Sequence, residues 1–168
     1  MILSIALSAA YAGNPIALAE FQIGEALPKE ARAVCLPFGN ERMEKCKPQE
    51  RTIAGMEGNL GVMLCDGKVH QASWATLYLP KGHAVPGSKN SVDPMNDAKA
   101  GFDALRKHLM ANGWTIADSD NMGAATVEAE RDGVKASLQL GEVPTAPNLP
   151  AGSWTTGVVF TRIEECTP

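Results

Sequence analysis

Few residues in this chain have types and spacing suited to chemistry, and most of those point to structure rather than reaction. Cys35, Cys46, Cys65 and Cys166 contain no C-x-x-C pair among them. Zinc sites and dithiol redox centres both favour such pairs, because two sulfurs must converge on one ion or exchange within one turn. In an exported chain an even number of cysteines favours two disulfides, and four cysteines allow three pairings. Pro37-Phe38-Gly39-Asn40 can turn the chain back between Cys35 and Cys46. Cys35–Cys46 with Cys65–Cys166 is therefore the favoured pairing, the other two staying open. A Cys65–Cys166 bridge would close a long loop, worth about 2–4 kcal/mol.

His70, His83 and His108 are scattered without ligand-like spacing. There is no G-x-S-x-G elbow, S-x-x-K, H-E-x-x-H, phosphate-binding loop or dinucleotide fingerprint. Gly55, Gly58 and Gly61 are evenly spaced but match no phosphate-binding pattern and read as turn punctuation. Asp118-Ser119-Asp120-Asn121-Met122-Gly123 imitates a calcium loop at its first, third and sixth places. Met122 fails the fifth place and Ala129 stands where a bidentate Glu is required, so a turn is the better reading. No catalytic residue, metal ligand or cofactor is assigned.

One surface is suggestive. Asp66-Gly67 is a two-residue hairpin signal that pairs Leu64 with Val69. Extending that register puts Val62, Leu64, Val69, Ala75, Leu77 and Leu79 on a core face. Met63, His70, Trp74, Thr76 and Tyr78 then share the opposite face. If that face is open to water, Met63, His70, Trp74 and Tyr78 form a binding platform, since exposed Trp and Tyr are common anchors of interfaces. The structural alternative is that Phe21, Phe38 or a first helix covers it.

The elements that would carry these residues follow from periodicity. Ala98, Phe102, Leu105 and Leu109 recur at helical spacing from about Pro94 to Asn112. Asp93 can cap that helix, Pro94 suits its first position, and Gly113 suits its end. Asp132-Gly133 marks a second hairpin, in which Arg131 faces Val134 and Ala125 faces Leu140. Its inner face carries Ala125, Val127, Ala129, Ala136, Leu138 and Leu140. Its outer face carries Thr126, Glu128, Glu130, Lys135, Ser137 and Gln139, with Glu130 opposite Lys135. Such alternation predicts a sheet buried on one side, with the helix as its cover.

A short helix is expected from about Ala26 to Leu36. Thr52-Ile53-Ala54 and Thr115-Ile116-Ala117 precede the two hairpins alike, raising the idea of two tandem helix-plus-hairpin units. Pro80 to Val92 and the proline-rich stretch Gly141 to Gly152 read as loops, and Ser153 to Glu164 as a last strand.

Ile2 to Ala12 is an apolar run followed by Gly13-Asn14-Pro15 and the triplet Ala17-Leu18-Ala19. This predicts a secretory signal over residues 1–19, with cleavage after Ala12 as the alternative. The run is shorter than the roughly 20 residues that a membrane span needs. The remaining residues 20–168 suit one globular domain with a single core. A net charge of -4 offers no basic field for nucleic acid or anionic membranes.

The expected fold is α+β: a mostly antiparallel sheet with one long and one short helix on one face. Such an architecture resembles the small exported helix-plus-meander proteins that bind other proteins, β-lactamase inhibitor proteins among them, although fold alone does not fix function. The expected function is a periplasmic or secreted, soluble, non-catalytic binding or accessory protein. It would act through a sheet face and loops on another envelope or secreted protein. A small periplasmic hydrolase, with a site assembled only on folding, is the alternative.

Overall fold

Three tight turns organise the sheet. Ala54-Gly55, Asp66-Gly67 and Asp132-Gly133 each place both central residues at positive φ, from +50° to +76°. Paired left-handed residues match the twist of the strands they join, and Asp-Gly adopts them at little cost. Ala54 carries no such polar help, and that departure hid its hairpin from the sequence.

The computed structural model describes residues 23–27, 32–116, 125–163 and 166. The strands are β1 (Cys35–Phe38), β2 (Asn40–Cys46), β3 (Gln49–Ile53), β4 (Met56–Cys65) and β5 (Lys68–Pro80). They continue with β6 (Ser88–Ser91), the helix α1 (Pro94–Ala111), β7 (Thr115–Ile116), β8 (Ala125–Arg131), β9 (Val134–Glu142) and β10 (Trp154–Arg162). One ten-stranded sheet runs in the order β1-β2-β4-β5-β10-β9-β8-β7, with β3 beside β4 and β6 beside β5. Every pairing is antiparallel except β5 with β6. Strand β6 lies within the stretch expected to be loop; its sequence, Ser-Lys-Asn-Ser, has no apolar alternation to announce it.

Helix α1 forms as its sequence predicts. The Asp93 carboxylate accepts from the Asn96 backbone N–H at 3.1 Å, satisfying one orphan donor of the first turn. Ala98, Gly101, Phe102, Leu105 and Leu109 are buried, and the helix lies against β5, β9 and β10. Gly101 is needed for the close approach: a Cβ there would come within 2.7 Å of the Tyr78 hydroxyl.

The second hairpin also keeps its predicted register, from Arg131 opposite Val134 to Ala125 opposite Leu140. Val127, Ala129, Ala136 and Leu138 are buried beneath α1 and its neighbours, while Glu128, Glu130, Lys135 and Gln139 are exposed. Lys135 pairs with Glu128 at 2.9 Å, the diagonal neighbour rather than the opposite Glu130.

The first hairpin begins as predicted, with Leu64 opposite Val69, and then departs. Between Met63 and Leu64 the ladder shifts, so that Met63 pairs with Gln71 and His70 becomes the extra residue of a bulge. One unpaired residue reverses the facing of everything beyond it, because side chains alternate with a period of two. Ala72, Trp74, Thr76 and Tyr78 consequently point into the core, while Ala75 is exposed; Leu79, near the end of β5, is fully buried as expected. Over this half the core continues through Leu60, Val62, Leu64 and Val69 to Leu27. The segment carrying Leu27 is held by Gly24 N–H to Val69 C=O at 2.6 Å and Val69 N–H to Glu25 C=O at 2.8 Å.

The middle of the expected short helix, residues 28–31, lies outside the described residues. At its ends, Ala26 makes an isolated bridge to Lys68 and Leu36 belongs to β1. The two Thr-Ile pairs do precede their hairpins, but at different places. Ile53 faces Met56 beside the Ala54-Gly55 turn, whereas Ile116 faces Ala129 near the Asp132-Gly133 turn. The predicted signal segment also falls outside the described residues. No described helix is long and apolar enough to cross a membrane.

Candidate functional site: the outer face of the sheet

The bulge divides the four residues of the expected platform between two sides of the sheet. Trp74 is 1% exposed and Tyr78 6% exposed, so the aromatic pair belongs to the core and not to the surface. The Trp74 indole N–H donates to the Arg51 carbonyl at 2.9 Å. Its ring lies across Gly58, where a Cβ would come within 2.6 Å of it. Thus Gly58 makes room for an indole and is not merely punctuation. The Tyr78 hydroxyl meets the Met56 sulfur at 3.7 Å. Burial, and then the charge of Asp97, push its phenol above the usual range.

Met63 and His70 remain half-buried on the outer face, away from α1. Met63 lies in a continuous rung across the sheet: Leu36, Lys45, Met63, Gln71, Thr161, Lys135 and Glu130 are successive register partners. Leu36 is 71% exposed at one end of this rung, and Phe38, further along β1, is 46% exposed. Beyond the rung come small residues, with Gly61, Ser73, Val159 and Ser137 in register across β4, β5, β10 and β9. Side chains along this row are short.

At the Asp66-Gly67 end of β5 the outer face deepens into a cleft of about 540 Å³, lined by Met43, His70, Lys135, Thr161, Arg162, Ile163 and Cys166. A smaller cleft of about 200 Å³ shares His70 and Arg162 and adds Arg42, Cys65, Asp66 and Lys68. The bulge aims His70 here, a common use of bulges. Burial, and secondarily the positive charge of Arg162, hold its imidazole below the usual histidine range. His70 is therefore neutral near pH 7 and can donate through one nitrogen and accept through the other. Both oxygens of Asp66 accept from Arg42, at 3.1 Å from Nε, and this contact holds the Asp66 carboxyl below its usual range. Asp66 is thereby oriented by the guanidinium.

Two disulfides hold the sheet, one on the core side of β1 and β2 and one at the cleft. Cys35–Cys46 joins directly opposite residues of β1 and β2. Cys65–Cys166 ties the chain beyond β10 to the end of β4 and forms part of the cleft wall. Both bonds agree with the pairing favoured from sequence and are compatible with an oxidising compartment.

His83 is exposed in the β5–β6 loop, and His108 lies in the last turn of α1, so folding does not gather the three histidines. Among the described residues no group of three or more His, Cys, Asp or Glu converges as a metal site would require. The calcium-like stretch 118–123 lies outside those residues.

Sequence reasoning missed the bulge and hence the cleft. A signal was present in Gln71-Ala72-Ser73-Trp74, whose polar–apolar alternation is out of step with Val69. The cleft itself draws on residues from four strands and the segment after β10, a proximity that only the sheet order creates. Comparison with protein-family models, curated proteins and solved structures finds no match for this chain.

Proposed function

We propose that this chain is an exported, soluble, non-catalytic binding or accessory protein whose outer sheet face receives another envelope or secreted protein. The observation that carries this reading is the asymmetry of the sheet. Helix α1 lies on one side, while the other presents the Leu36–Lys45–Met63–Gln71 rung and a smooth field of small residues beside it. Partly apolar surfaces with charged margins suit protein partners, since the apolar side chains can be covered at the centre of a contact while the charges stay wet at its rim. Met63 and His70 keep their expected place in this surface. Trp74 and Tyr78 support it from beneath by filling the core.

The rigid frame fits the same role. Paired β1 and β2, and a chain end bonded to β4, hold the outer face in shape before a partner arrives, which lowers the ordering cost of association. The signal-like segment 1–19 and the two disulfides point to the periplasm or the secreted medium as the place of action.

A photo-crosslinking residue placed at Met63 or Gln71 in the exporting cell tests the proposal. One discrete adduct from those positions, absent when the crosslinker replaces exposed Asp103 on α1, is the expected result. It should disappear on adding Lys45→Glu, with melting unchanged. Equal adducts from Asp103, or none from the rung, would remove the outer face as the contact surface.

A further inference from the structure

We propose that Met43, Met63 and His70, gathered on the outer face near the Asp66-Gly67 turn, bind one soft monovalent metal ion, Cu(I). The site shares Met63 with the face assigned above to a protein partner, but it stands on ligand chemistry and not on that partner. Sheet order brings the three residues together. Met43 lies opposite Cys65 and Met63 opposite Lys45, so the two methionines are diagonal neighbours on β2 and β4. Diagonal neighbours stand about 7–8 Å apart, within reach of two long, unbranched side chains. His70 is the bulge residue between Val69, the partner of Leu64, and Gln71, the partner of Met63. It therefore sits beside Met63 in the next strand, and it lines one cleft with Met43. All three residues are half-buried.

The donor set selects the ion. Thioether sulfur is soft and uncharged, so it suits Cu(I) and competes poorly with water for Mg(II), Ca(II) or Zn(II). Imidazole nitrogen suits copper too. All four cysteines are in disulfides, so methionine supplies the softest donors on this face. Asp66 is bound by Arg42, which leaves no free carboxylate in the described lining to draw in a hard cation. Such a site needs no cluster of His, Cys, Asp or Glu, which the described residues lack. Two of the nearby cations are neutralised by carboxylates, Arg42 by Asp66 and Lys135 by Glu128. Lys45, opposite Met63, leans the other way, with its ammonium 5.4 Å from the centre of the Phe38 ring on β1.

Anaerobic titration of the untagged, exported and oxidised chain against Cu(I) held by a weak chromogenic chelator, with ascorbate as the reductant, tests this. The chain should withdraw one equivalent of Cu(I) and none of Zn(II), and X-ray absorption at the copper edge should show sulfur ligands. Met43→Leu and Met63→Leu nearly conserve side-chain volume. Each should weaken Cu(I) by about tenfold or more, since even an outer-shell partner of a metal is worth that much. His70→Gln should do the same. Met110→Leu, at an exposed position on α1, and His83→Gln, in the β5–β6 loop, should change nothing. If one site variant lowers the melting temperature, the other two and the spectrum of the unaltered chain carry the test. No withdrawal of Cu(I), equal withdrawal of Zn(II), a copper spectrum without sulfur, indifference to a stably folded site variant, or loss on changing Met110 or His83 would each overturn the proposal. Crosslinking from Gln71 leaves all three ligands in place and reads the partner without copper, so the two proposals fail separately.

Discussion

The β4–β5 and β8–β9 hairpins turn on the same dipeptide with nearly the same backbone angles, yet they differ in how far the turn governs the strands. In β8–β9 the register set at Asp132-Gly133 holds from Arg131–Val134 to Ala125–Leu140. In β4–β5 the register set at Asp66-Gly67 lasts only as far as Leu64–Val69, where His70 interrupts it. A tight turn fixes facing only up to the first irregularity, and a single extra residue exchanges core for surface along the rest of the strand. The regular hairpin has an outer face suited to water. The bulged one has buried aromatics within and a cleft at its turn.

The largest effect that could break this comparison is at Trp74. Trp74→Ala should cost about 3–5 kcal/mol in chemical denaturation, as expected for deleting a large buried aromatic. Ala75→Ser, one residue along and facing outward, should stay within about 0.5 kcal/mol. A near-neutral Trp74→Ala would restore the aromatic platform and remove the bulge as the organising feature.

A smaller effect is expected from deleting His70 altogether. The deletion joins Val69 directly to Gln71 and leaves every observed partner pair in β4–β5 in place, turning the bulged ladder into a regular one. Trp74 should stay buried, read by unshifted fluorescence, with stability changed by about 1 kcal/mol or less. A red-shifted emission would show that the strand slips and that the bulge alone does not account for the facing.

Smaller still is a pH effect confined to a window. The folded chain holds His70 below its ordinary value of 6.5, so between the folded value and 6.5 the unfolded chain binds more protons. Stability contributed by neutral His70 is therefore complete above that window and declines as pH falls through it. His70→Gln should flatten this part of the stability profile. An unchanged profile would show that the imidazole feels no burial in the cleft.

The smallest effect belongs to the regular hairpin. Glu128→Ala should cost about 0.2–1 kcal/mol through the exposed pair with Lys135, and less in high salt. Glu130→Ala should cost nothing measurable. The reverse ranking would favour the directly opposite pair over the diagonal one.

The sequence made legible whatever depends on local periodicity and turn chemistry. Helix α1, from its Asp93 cap to Gly113, the β8–β9 faces and the Cys35–Cys46 closure are all of this kind. Strand β6 was hidden because its four polar residues earn a place only by pairing with β5. Met43, Lys135 and Arg162 were hidden as cleft residues because they come from strands far apart in the chain. Trp74 was misplaced for a different reason. Its own neighbourhood, Gln71 to Trp74, signalled the correct facing, but the stronger Asp-Gly signal was extended through it. The candidate site was thus legible at Met63 and His70, whose outward placement both registers share.

Strand order has a further consequence for how the chain is made. The last strand, β10, is inserted between β5 and β9, so Thr161 finds Gln71 from far along the sequence. A chain that emerges from its amino end must carry β5 with one side unpaired until β10 has appeared. Long-range pairing of this kind is slow to form and leaves an open edge vulnerable to wrong partners meanwhile. A polypeptide passed through a membrane as an extended thread would meet this delay only on the far side. There, oxidation could bond Cys166 to Cys65 and make the late arrival of β10 permanent.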